Sequence, residues 1–363
     1  MRITQSMLSN NSLRHLSQSY QRMQTYQDQL NTGKKITKPS QDPVVAMKGI
    51  RYRTEVMETR QYLDRNLAQV YSWVENADSS LDKVGEVMKR VRDLTVQASN
   101  DTYDENQRKS LSEEVTQLIA HIGTLTNTKV NNQYIFNGTD TINPPYNAEG
   151  IDINPSEIAA GNENTYILTY NSKTFEWDDT ANGGLGAFTD GTAEYVLNGT
   201  VFEEASTGTV LPANDVVVIE KSAIPSNNES INIEIMKGIE LGVNIAPGES
   251  FSSTFFGDLH VLQKKLSSGA KGEELSSFIG KLDKHMDAFL SKRSEIGAKY
   301  NRVEMIENRL SEQEVIATKV MSENEDVDAE RVIIDMLSEE TLLRATLASS
   351  SRIIQPTLMD FLR

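Results

Sequence analysis

Few residues in this chain are arranged for covalent chemistry, and those that come nearest can be named. The four histidines, His15, His121, His260 and His285, stand far apart. None belongs to a His-Glu-x-x-His frame, in which two imidazoles one helical turn apart hold a zinc ion. No serine occupies a glycine-flanked elbow, and no glycine-rich loop opens a helix to cradle phosphate. Cysteine is absent, which removes thiolate metal sites, cysteine nucleophiles and disulfides together. Asp326 and Asp328 alternate as the first ligands of a calcium loop would, but the glycine and closing glutamate are missing. Asn137-Gly-Thr and Asn198-Gly-Thr fit glycosylation sequons, and tight turns explain them equally. The residues therefore imply no catalytic group, no metal and no cofactor, so the chemistry to expect is that of surfaces.

Two long stripes are built to make such surfaces. From Leu63 the apolar or small residues Leu67, Val70, Val74, Ala77, Leu81, Val84, Met88, Val91, Thr95 and Ala98 alternate steps of four and three. The rhythm returns as Leu275, Ile279, Leu282, Met286, Phe289, Arg293, Ile296, Tyr300, Val303, Glu307 and Leu310. Stripes this narrow cannot be buried by their own helices. The expected core therefore joins Leu63, Leu67, Val70, Leu81 and Val84 to Leu282, Phe289, Ile296 and Val303. Arg293 and Glu307 interrupt the second stripe and are expected to snorkel to the bundle edge; a partly buried polar contact fixing the register of the arms is the alternative. Between the arms, Leu111, Val115, Leu118, Ile122 and Leu125 predict a further antiparallel helix.

Both ends add a weaker helix. Leu13, Leu16, Tyr20, Met23 and Leu30 recur at helical spacing near the start, and Leu343, Leu347, Ile354 and Leu358 near the end. These modest seams are read as a subunit-assembly surface. Such polar segments offset little of the ~1–2 kcal/mol per residue lost on ordering, so they are expected to order on assembly. Between the first helix and the arm lies a linker: Gly33 fits a helix C-terminal cap, Pro39 breaks the chain, and Asp42-Pro43 reads as the N-cap and first position of a helix reaching about residue 100. Uninterrupted, that helix would span roughly 85 Å at ~1.5 Å per residue.

Composition and charge complete the plan. With 363 residues, 38% hydrophobic and 24% charged, the chain has the make-up of a folded protein with two or three domains. No apolar run approaches the ~18–20 residues that cross a bilayer, and the opening MRITQSMLSNN is not a secretory signal. The formal charge of −16 is concentrated in residues 140–250, where 3 Lys and Arg face 18 Asp and Glu. This excludes nucleic acid and anionic membranes as general partners. Within the acidic stretch, short runs (Tyr166 to Tyr170, Tyr195 to Phe202, Val216 to Ile219, Ile231 to Ile235) separated by Asn-Gly and Gly-Gly turns predict strands. The expected fold is α+β: a long antiparallel coiled-coil-like bundle built from both chain ends, with a β-rich inserted domain. Its parts are an N-terminal assembly helix and linker (1–43), the N-terminal bundle (44–139), the acidic insert (140–250), the C-terminal bundle (251–322) and a C-terminal assembly helix (323–363).

Two ordered signatures at opposite ends carry a family resemblance. Leu30-Asn31-Thr32-Gly33-Lys34-Lys35-Ile36, then Pro39-Ser40-Gln41-Asp42-Pro43 and Ala46, resembles the N-terminal signature of the flagellin superfamily. Ile296-Gly297-Ala298-Lys299-Tyr300-Asn301-Arg302-Val303-Glu304, with Asn308 and Leu310, is similar to its C-terminal counterpart. The opening MRITQSML, the closing SSSRIIQPTLMDFL and Gln133-Tyr134-Ile135-Phe136-Asn137-Gly138-Thr139 lean toward the hook-associated branch of that superfamily rather than the filament subunits. The resemblance covers about two thirds of the chain and leaves the insert out. It implies a non-enzymatic, extracellular structural protein of the bacterial flagellum, exported by the flagellar type III apparatus without a cleaved signal peptide. The implied partners are hook-associated protein 1, flagellin, further copies of the chain and a flagellar export chaperone, with the chain at the junction of hook and filament. Competing readings are a flagellin, a cell-wall hydrolase with helical arms, and a cytosolic coiled-coil adaptor.

Overall fold

The computed structural model describes residues 5–354, apart from 101 and 160. The chain is α+β and divides into two compact units, Tyr62–Asn308 and a unit made by both ends, Met1–Gln61 with Arg309–Arg363.

The heptad stripes of Tyr62–Asn308 lie on α3 (Ala68–Ala98) and on the first part of α7 (Gly272–Glu325). Leu67, Val70, Leu81, Val84, Leu282, Phe289, Ile296 and Val303 are all buried. The two helices run antiparallel, as cross-ties at Arg92–Asp283, Arg293–Asp78 and Tyr71–Glu307 record. α4 (Glu105–Thr126) packs along α3. It opens with a capping box in which the Asp104 carboxylate accepts the Gln107 N–H and the Gln107 side chain accepts the Asp104 N–H. Arg108, buried, donates from Nε to the Ala98 carbonyl and so satisfies one of the orphan carbonyls ending α3. α6 (Ser253–Ser267) covers α4 and brings Phe255 and Phe256 into an edge-to-face cluster with Phe251 and Phe289.

One sequence expectation is corrected here. The helix predicted from Pro43 to about residue 100 is interrupted by a π turn, Tyr62–Leu67. Leu63, expected in the core, sits in that turn and is only half-buried. The extra residue in the turn shifts the helical phase, and Asn66 donates its Nδ2 to the Glu234 carbonyl at 2.6 Å.

The insert is a six-stranded antiparallel sheet in the order β7-β6-β5-β4-β3-β8. Its strands are β3 (Tyr166–Tyr170), β4 (Lys173–Asp178), β5 (Ala187–Thr189), β6 (Glu194–Asn198), β7 (Val201–Glu204) and β8 (Val216–Glu220). A kinked turn, α5 (Ala181–Gly184), joins β4 to β5. Leu168, Phe175, Phe188, Tyr195, Phe202 and Val218 form the core of one face. α6 packs against β3 and β8, and a Cβ on Gly257 would lie 2.5 Å from Thr169 Oγ1, so glycine permits that approach. Loop segments cover both edges: Leu211 N–H donates to Phe202 along β7, and Ile153 N–H donates to Val218 along β8. Two short hairpins complete the unit, β1 (Lys129–Val130) with β2 (Gln133–Tyr134) and β9 (Asn232–Met236) with β10 (Ile239–Gly242).

The unit of both chain ends holds α1 (Gln5–Thr32), α2 (Pro43–Gln61), the end of α7 and α8 (Ala329–Ile354). α1 and α8 are packed against each other, so each covers part of the other's seam. Among the described residues no helix is long and apolar enough to cross a membrane.

Candidate assembly surfaces

The linker takes its shape from local chemistry. Gly33 adopts φ +67°, and its N–H donates to the Gln29 carbonyl at 2.8 Å, ending α1 with a left-handed cap. Pro39 occupies the second position of a turn closed by Gln41 N–H to Lys38 O at 3.0 Å. Asp42 then caps α2: its Oδ1 accepts the N–H groups of Val44 (2.9 Å) and Val45 (3.1 Å), and Pro43, which has no N–H to lose, stands first in the helix.

Opposite this linker lies the break between α7 and α8. Lys35 N–H donates to the Glu325 carbonyl at 2.7 Å and Val327 N–H to Gly33 O at 3.0 Å, which pairs Lys34 with Asp326 as in an antiparallel sheet. Side chains reinforce it. Lys34 Nζ meets Asp326 Oδ1 at 2.6 Å, and Arg53 Nη2 meets Glu325 Oε2 at 2.6 Å with the Glu325 side chain buried. Hydrogen bonding by Lys34 holds the Asp326 carboxyl below the usual carboxylate range. Asn324 Nδ2 reaches the Val45 carbonyl at 3.1 Å.

The expected assembly residues divide between two faces. On α1, Leu16, Met23, Tyr26 and Leu30 are half-buried around a buried Ser19, a seam turned toward α8, whereas Leu13 and Tyr20 are exposed on its flank. On α8, Val332 and Leu343 are buried and Met336 half-buried, and Arg22 bridges to Glu339 at 2.7 Å. Leu347 is exposed. The Ile354 side chain and Leu358 lie outside the described residues. A second apolar face of α8 was missed by the sequence reading: Ile334, Leu337 and Leu342 are exposed, and Ile334, Leu337 and Thr341 follow one another at steps of three and four. α2 carries a comparable stripe of Val44, Met47, Ile50 and Met57, each more than half exposed. The signal for both was present in the sequence, on α8 as apolar residues beside the fitted stripe and on α2 as apolar residues ahead of the stripe that begins at Leu63.

Comparison with known proteins fits these arms. Residues 3–141 match the family model of the bacterial flagellin N-terminal helical region. The chain is flagellin-like. It is 23% identical over 349 residues to a flagellar hook-associated protein 3 of Escherichia coli, covering 95% of each chain. It is also 23% identical over 349 residues to a flagellin of Clostridium tyrobutyricum, covering 90% of this chain and 92% of that one. Among solved structures, a flagellar hook-associated protein of Vibrio parahaemolyticus shares the fold at a TM-score of 0.54 and 15% identity, covering 79% of this chain and all of that one.

Proposed function

We propose that this chain is the structural subunit that joins the hook of a bacterial flagellum to its flagellin filament. The observation that carries the reading is the match to hook-associated protein 3 across 95% of both chains, arms and insert included. The geometry supplies a mechanism. The intrachain seams of α1 and α8 hold the two ends together, and the outward stripes of α2 and α8 are left for neighbouring copies. A fully buried Ile, Leu or Met contributes about 1.5–3 kcal/mol, so several such residues per contact can drive polymerisation into a ring or short helix. One axial side of that ring would receive hook-associated protein 1 and the other would template flagellin. Export through the flagellar type III apparatus, with a dedicated chaperone, suits a chain with no disulfide to obstruct threading.

Similarity to a flagellin at equal identity favours a second reading, the filament subunit itself. Deleting the gene separates them. A junction subunit leaves hooks bare while flagellin accumulates in the medium, and immunogold marks one band at the hook tip. Labelling along whole filaments would instead identify a flagellin, and a motile deletion strain with normal filaments would overturn both readings.

A further inference from the structure

The two chain breaks are tied by charge in an unusually specific way. The Glu325 carboxylate lies 2.6 Å from Arg53 Nη2 and 3.4 Å from Lys34 Nζ, and it occupies a notch on α2 that exists only because residue 49 is glycine. A Cβ at position 49 would stand 2.5 Å from Glu325 Oε1. Gly49 has no positive φ, so backbone conformation does not require glycine there, while glycine within a helix is less favourable than alanine. The close approach of the carboxylate is what the glycine permits. The backbone bonds of Lys35 and Val327 lie directly beside this seat, and Lys34 takes part in both layers.

From this arrangement we infer that Gly33–Lys35 and Glu325–Val327 form a clasp, latched by Glu325 seated in the Gly49 notch. Closing the clasp is the step that presents α1 and α8 as a pair for assembly. Gly49, Arg53 and Glu325 are positioning residues: they fix where the paired helices begin and touch no partner themselves. The inference rests on the assembly role proposed above, and the two can fail separately.

The absence of cysteine makes the test clean. Lys34 and Asp326 form the non-hydrogen-bonded pair of the bridge, whose short Cα separation suits a disulfide. The full-length chain carrying Lys34→Cys with Asp326→Cys is oxidised mildly, and the intrachain bond is read by peptide mass mapping. Assembly is read by sedimentation. Gly49→Ala alone is expected to raise the protein concentration needed for assembly about tenfold, and Glu325→Gln to act in the same direction. Locking the clasp by the disulfide in the Gly49→Ala background is expected to restore assembly to the parental level. The inference is overturned if Gly49→Ala assembles normally, if the lock fails to rescue it, or if the locked parent chain cannot assemble. Should the parent fail to polymerise under any condition, the assembly role falls. The clasp is then judged by trapping alone: Gly49→Ala must slow disulfide formation, and an equal rate would refute it.

Discussion

Arg293 and Glu307 stand within an apolar stripe, and both are only part-buried, Arg293 against two aspartates that are themselves half-exposed, in keeping with the expected reach to the bundle edge. Arg293 Nε lies 3.0 Å from Asp78 Oδ1, with Asp82 on its other side, and Glu307 accepts the Tyr71 hydroxyl. Both also bond across to the facing helix, which is the contact a register role would use. Replacing both with leucine strands two carboxylates one turn apart and a phenol without its acceptor. The expected loss is about 1–2 kcal/mol in urea unfolding, and an unchanged midpoint would return these residues to a bystander role. His260 supplies a pH-dependent counterpart. Burial, with Lys264 adding in the same direction against an opposing Asp152, pushes its imidazole down to about 4, from an ordinary value of 6.5. The unfolded chain therefore binds the proton first. Stability at neutral pH is intact and declines as pH falls from about 6.5 toward 4, by about 3 kcal/mol. His260→Met should flatten that part of the stability profile, measured as urea midpoint against pH.

At the scale of elements, single positions decide how helices start and approach. Asp42→Ala removes the acceptor for two N–H groups at the start of α2 and is expected to cost about 1 kcal/mol, seen as faster amide exchange in the first turn of that helix. Gly123→Ala would place a Cβ 2.2 Å from Tyr146 Cε1, on the ring that packs against Phe256. An overpacking loss of about 1–3 kcal/mol should follow in thermal melts. What could be read from sequence follows the same physics. The stripe from Leu67 to Ala98 and the Asp42-Pro43 cap were legible because burial on one face and a missing N–H each leave a strict local pattern. β4 was not read, because Lys173 to Asp178 mixes charges with Phe175 and Trp177, and its entry turn is Asn171-Ser172, both at positive φ, rather than Asn-Gly. The Tyr195 to Phe202 run proved to be two strands, β6 and β7, folded at Gly199. The π turn left no trace either, since a one-residue phase shift leaves the steps of three and four on each side intact. On α1 the seam facing α8 runs through Ser19 and Tyr26 beside leucines. A small hydroxyl such as Ser19 carries little hydropathy, so the step of four from Leu16 to Tyr20 on the flank is read in its place.

For the whole molecule, division into a unit of both ends and a unit of the middle implies separable folding. Residues 62–308 alone are expected to give a monomer with one cooperative calorimetric transition, since their core closes within that span. A chain carrying Ile334→Glu with Leu337→Glu should keep its helical content as a single copy, because both side chains are exposed there. It should nevertheless sediment as a monomer where the parent polymerises; polymer formation by this variant would remove the outer face of α8 from the interface. The covered margins of the six-stranded sheet matter most when copies are crowded. A bare strand edge is an indiscriminate adhesive, willing to hydrogen-bond to any extended backbone nearby. With the flanking loops donating to the carbonyls of Phe202 and Val218, part of each edge ladder is already taken. Edge pairing between neighbouring inserts is thereby disfavoured, which leaves contact between copies chiefly to the helices.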